Sequence, residues 1–145
     1  MKRNYFILIL LLFLINAGVY AEGKTRIGAQ IGLFYPGIFI DVPTSDRSSF
    51  RLGVGTLWGF SPLAEAKYRR RFGGRDSMSY WEASALYFGP GKFFIFQTSA
   101  ATAAQISVGT RFSKGKHGAW FASLGILSGP GGTAVIPNIG YEFSP

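Results

Sequence analysis

Residues 26–33 read Arg26-Ile27-Gly28-Ala29-Gln30-Ile31-Gly32-Leu33. Successive side chains of a strand point to opposite faces, so Ile27, Ala29, Ile31 and Leu33 share one face while Arg26, Gly28, Gln30 and Gly32 share the other. A helix would scatter the same apolar residues around its axis, because its neighbours recur every 3.6 positions. The division then repeats after each turn signal. Ile38, Ile40 and Val42 oppose Phe39 and Asp41; Phe50, Leu52 and Val54 oppose Arg51, Gly53 and Gly55; Ala64, Ala66 and Tyr68 oppose Glu65, Lys67 and Arg69. Further on, Trp81, Ala83, Ala85 and Tyr87 oppose Tyr80, Glu82 and Ser84, and Ala104, Ile106 and Val108 oppose Gln105, Ser107, Gly109 and Arg111. The last two segments set Trp120, Ala122, Leu124 and Ile126 against Phe121, Ser123 and Gly125, and Val135, Pro137, Ile139 and Tyr141 against Asn138, Gly140 and Glu142. Turns rich in Gly, Pro, Ser and Asp separate them at 36–37, 44–49, 61–62, 70–76, 89–91, 113–118 and 129–132. Residues 92–103 carry no clear period. The pattern predicts an all-β chain of eight short strands, a number suited to an up-and-down antiparallel barrel.

Composition narrows the chemistry. The 145 residues contain no cysteine and one histidine, His117, which excludes disulfides, thiolate metal sites and histidine-rich metal clusters. No Gly-x-Ser-x-Gly elbow, His-Glu-x-x-His pair, phosphate loop or dinucleotide glycine fingerprint occurs. No cofactor is expected. At the N-terminus, Lys2 and Arg3 precede an apolar run from Tyr5 to Ala17, and Val19, Tyr20 and Ala21 follow Gly18. The run breaks at Asn16 and Gly18, short of the roughly 20 apolar residues a spanning helix needs. Residues 1–21 therefore read as a secretory signal peptide, leaving 22–145 as one barrel domain. Export also argues against nucleic acid as the partner of this basic chain, whose formal charge is +8.

Two orientations compete for the two faces. In a soluble barrel or sandwich, the uncharged face lines the core, and the chain is a periplasmic binder of an apolar ligand. In the inverse arrangement it meets lipid, and the charged, glycine-bearing face fills a narrow lumen. Gly28, Gly32, Gly53, Gly55, Gly109, Gly125 and Gly140 all fall on the second face, where crowded backbones tolerate no side chain. Aromatics gather at strand ends: Tyr35, Phe50, Trp58, Phe60, Phe72, Tyr87, Phe112, Trp120, Tyr141 and Phe143. That distribution matches an interfacial girdle. Both features favour the inverse arrangement.

The chain closes on Ile139-Gly140-Tyr141-Glu142-Phe143, followed by Ser144 and Pro145. An alternating final strand with a near-terminal aromatic resembles that of the small bacterial outer-membrane β-barrel proteins. The resemblance implies a transmembrane barrel of eight strands in the outer membrane, both termini on the periplasmic side, membrane lipids around it, and a last strand read by the outer-membrane assembly machinery. Some members of that class modify lipid A with a His-x-Ser pair; here His117 precedes Gly118 and Ala119, so a non-enzymatic structural or surface-interaction protein is the expectation.

In the inverse arrangement the lumen face carries Arg26, Arg51, Lys67, Arg69 and Arg111 against Asp41, Glu65, Glu82 and Glu142. Near-neutrality suits a dry interior, where an unpaired ion costs several kcal/mol. Folding the hairpins about 44–49 and 73–76 predicts Asp41 opposite Arg51 and Lys67 opposite Glu82, and barrel closure brings Arg26 near Glu142. The turns sharing the side of the termini carry Arg47, Arg70, Arg71, Arg75, Lys114 and Lys116, with Lys24, against Glu22, Asp46 and Asp76. This basic rim is a candidate seat for anionic lipid phosphates.

Overall fold

The computed structural model describes residues 25–32, 36–57, 61–72, 77–93, 96–115 and 118–143. The proposed signal peptide lies outside them. The strands are β1 (Arg26–Gly32), β2 (Pro36–Pro43), β3 (Ser48–Leu57), β4 (Ser61–Arg71), β5 (Ser79–Phe88), β6 (Gly91–Phe93), β7 (Phe96–Thr98), β8 (Ala101–Gly115), β9 (Gly118–Gly129) and β10 (Gly132–Phe143). Eight of them form a closed barrel in the order β1-β10-β9-β8-β5-β4-β3-β2. Every neighbouring pair is antiparallel, and β1 closes on β10 with Ile27 opposite Phe143 and Ile31 opposite Ile139. β6 and β7 form a separate hairpin within the stretch without period.

Polarity is inverted relative to a soluble barrel. Ile106, Ile31 and Ile38 expose 68%, 67% and 63% of their surface, whereas Arg51 and Lys67 expose 0% and 1%. The apolar face points outward on every barrel strand, which overturns the reading in which it lines a ligand-binding core. At the end of the barrel that carries the termini, Phe50, Tyr68, Trp81, Phe112, Trp120, Tyr141 and Phe143 occupy outward positions, as the strict alternation requires. Edge-to-face packing links Tyr68 to Trp81 (5.6 Å), Trp120 to Tyr141 (5.3 Å) and Tyr141 to Phe143 (4.7 Å) between ring centroids. Tyr35, Trp58 and Phe60 lie outside the described residues.

Several strands run longer than the sequence predicts. Arg70 and Arg71 belong to β4 rather than to a turn. Alternation explains this: Arg70 points outward and is exposed, while Arg69 and Arg71 turn inward, so three consecutive arginines never share a face. The β9–β10 turn shrinks to Pro130 and Gly131, and Gly132 completes it at φ +113°, a conformation that glycine adopts without strain. Two other glycines yield space. A Cβ on Gly28 would overlap the Phe39 ring, and one on Gly140 would overlap the Phe121 ring, so both rings take up space that a side chain at those positions would fill.

Candidate functional site

The lumen has two layers. Near the termini, Glu142 on β10 accepts hydrogen bonds from Arg51 Nη2 and Arg69 Nη1, and also pairs with Arg111 Nη2 at 2.9 Å and Arg26 Nη1 at 3.5 Å. Four strands thus send a guanidinium to one carboxylate. Beside it, Arg69 Nε donates to Glu82 Oε1 at 2.7 Å, and Ser107 Oγ donates to Glu82 Oε2 at 3.1 Å. Lys67 Nζ sits 3.1 Å from Glu65 and 3.5 Å from Glu82. Asp41 lies 3.8 Å from both Arg51 and Arg111, and Arg51 faces Asp41 directly across β2 and β3. Gln30 Nε2 extends the layer by donating to Glu65 at 3.1 Å, while Asn138 Nδ2 donates to Gln30 at 3.4 Å.

Aromatic faces complete this shell. The Arg51 guanidinium stacks 3.6 Å over the Phe39 ring, and that of Arg69 lies 4.1 Å over Tyr80. Phe121 meets Phe39 edge to face at 5.8 Å and lies 5.0 Å from Arg51 and 5.4 Å from Arg69. A desolvated guanidinium gains about 2 kcal/mol from such a face. The alternating pattern set Phe39, Tyr80 and Phe121 on this face but assigned them no part beside its charges. Their signal was available: Phe39, Tyr80 and Phe121 each sit two residues from an inward polar residue.

One pairing is corrected. Glu82 stands opposite Arg69, and Lys67 opposite Ser84, because the β4–β5 connection is centred one residue later than the sequence turn suggests. The resulting slip of two residues preserves the face of every side chain, so Lys67 still reaches Glu82 diagonally. We expect a double-mutant cycle between Arg69 and Glu82 to give a larger coupling than one between Lys67 and Glu82. Equal couplings in chemical unfolding of the detergent-solubilised barrel would contradict this geometry.

Toward the opposite end, which we term the loop end, the lumen turns apolar. Leu63, Leu86 and Ile136 are buried together, with Phe88 and Leu127 packed against them. Among the described residues, the rim arginines separate: Arg47 is exposed in the β2–β3 turn, Arg70 is exposed on the outer face, and Arg71 is half-buried on the inner one. Lys114 is part of β8. Lys24, Arg75, Lys116 and His117 lie outside the described residues.

Among solved structures, this chain is similar to the N-terminal β-barrel domain of OprF from Pseudomonas aeruginosa, with a TM-score of 0.67 over 83% of this chain and 96% of that one. The fold is that of an outer-membrane-type eight-stranded barrel. Sequence identity is 18%, so the likeness is one of architecture. No family model matches the chain, and no curated protein matches it.

Proposed function

We propose that residues 22–145 form a non-enzymatic outer-membrane barrel that acts as a structural or surface-interaction protein, inserted after removal of residues 1–21 and assembly guided by the strand ending in Phe143. The observation that carries this reading is the inverted polarity: an apolar belt outside and an ion-paired layer inside. Two further features support it. The aromatic ring near the termini lies where a membrane interface would fall, and Glu65 and Glu82, the carboxylates best placed for acid–base work, are both held by Lys67. The ion-paired layer and the cluster of Leu63, Leu86 and Ile136 obstruct the lumen, so the barrel forms no through-channel.

The rim deepens the reading. Arg47 and Arg70 project at the end bearing the girdle, where lipid phosphates of the periplasmic leaflet would meet them. Near an anionic surface each cation contributes about 1 kcal/mol, weakened by salt. Two measurements test the proposal together. The protein should sediment with outer membranes, resist extraction by salt, and migrate faster on cold than on boiled detergent gels. Recovery in the soluble periplasm would overturn it. In vesicles, Arg47→Ala combined with Arg70→Ala should weaken association with anionic lipid about 10- to 30-fold at low salt and leave zwitterionic lipid unaffected. Equal effects on both would reduce the rim to a solvated edge.

A further inference from the structure

The loop end of the lumen holds a cavity of about 390 Å³. Its walls include Leu57, Phe88, Ala103, Leu127, Ala134 and Ile136, and among the described residues none that lines it is charged. Ile136 belongs to the buried cluster with Leu63 and Leu86, and Phe88 and Leu127 pack against it; this cluster floors the cavity on the side of the ion layer. Among the described residues, buried polar side-chain atoms without a hydrogen-bond partner all lie in the ionic and amide part of the lumen, the Asp41 carboxylate and the Tyr80 hydroxyl among them, and none lines this cavity. The inner walls between the mouth and the floor are thus apolar and offer ordered water few of the two to four polar partners it needs. A pocket walled this way stays dry or takes an apolar guest.

We propose that this cavity binds one unbranched alkyl chain, entering from the loop end with its polar head left at the mouth. Shape selects a chain. The lumen of eight strands is narrow, the floor blocks passage, and among the described lining residues the one buried hydroxyl, that of Ser61, has its proton committed to Gly89 O. At interior packing density, about eight to twelve carbons occupy roughly half to two-thirds of the volume. Hydroxyls of Ser99, Thr102 and Thr133 stand among the lining residues, but Ser61 Oγ already donates to Gly89 O at 2.5 Å. Recognition thus rests on the chain, whether it arrives as a free carboxylate or attached to a lipid head.

The test uses the full barrel folded in nanodiscs of long-chain zwitterionic lipid, with methyl resonances of Ile136 and Leu127 followed during titration. Hexanoate, octanoate and decanoate should each saturate at one site, with Kd falling about fourfold per added methylene. A lysophosphocholine with a decanoyl chain is the lipid-borne arm. Binding equal to that of decanoate assigns recognition to the chain alone, and tighter binding assigns the source to membrane amphiphiles. Ala103→Phe should raise Kd at least tenfold, and the smaller Ala101→Leu at least threefold should the larger change impair folding. Lipid-facing Ala104→Phe should leave Kd within twofold, with folding of each variant checked by heat-modifiable migration. Non-saturating shifts, a Kd independent of chain length, sensitivity to Ala104→Phe equal to that at Ala103, or preference for a naphthalene-sized ring over decanoate would each overturn the proposal.

Discussion

Replacing Glu142 with Gln is expected to lower the unfolding free energy of the folded barrel by about 3–5 kcal/mol, the cost of removing one partner from a buried ion cluster. The expectation follows from geometry rather than from pair counting. Arg51 and Arg69 both donate to Glu142, and Arg26 and Arg111 pair with the same carboxylate. Its neutralisation leaves Arg51 and Arg111 with Asp41, and Arg69 with Glu82, as their remaining carboxylate partners. Asp41 stands 3.8 Å from its two arginines, too far for a hydrogen bond of normal length. Chemical unfolding of detergent-solubilised protein provides the measurement. A loss below about 1 kcal/mol would place the cluster with solvated surface pairs instead.

The second large effect is expected on the outer face. Ile106→Arg should cost about 2–4 kcal/mol if the centre of β8 lies at the bilayer midplane, with Ile40→Arg and Val54→Arg following the same rule according to depth. Ile106 exposes 68% of its surface. An equally exposed site in water would change by no more than about 0.5 kcal/mol on the same substitution. Unfolding measured from lipid bilayers therefore separates the two environments by a wide margin. A neutral outcome at all three sites would remove the lipid-facing assignment. Gly53→Arg, pointing into the lumen, should act by a different route, crowding the Phe39 side chain and the Glu65 carboxylate.

Alternation made the faces legible because a strand's period is two and a slip by one residue would turn every side chain over. Strand ends were harder to read. Arg69-Arg70-Arg71 has the look of a charged turn, yet β4 continues through all three because the rim can receive Arg70 outside while the lumen receives its neighbours. Register was legible where the turn was short, as for Asp41 and Arg51, and shifted where the connection was long, as for Lys67 and Glu82. The apolar floor escaped notice for another reason. Leu63, Leu86 and Ile136 lie on the inner face near strand ends, where a reading tuned to polar inner residues passes over them. Only closure of the barrel brings these three strands' residues together. The small hairpin of β6 and β7 falls in the stretch that showed no period.

The position of Glu142 near the end of the last strand bears on how the barrel is completed. Its four arginine partners come from β1, β3, β4 and β8, so the carboxylate that joins them arrives only when β10 docks against β1 and β9. Until that moment an open sheet holds a surplus of like charge on what will become its concave face, and burying that face is unfavourable. Partial closure gains little. Completion brings hydrogen bonding along two strand seams and neutralisation of the arginine cluster in a single event, so the last strand acts as an electrostatic latch: the ring either shuts fully or stays open and wet.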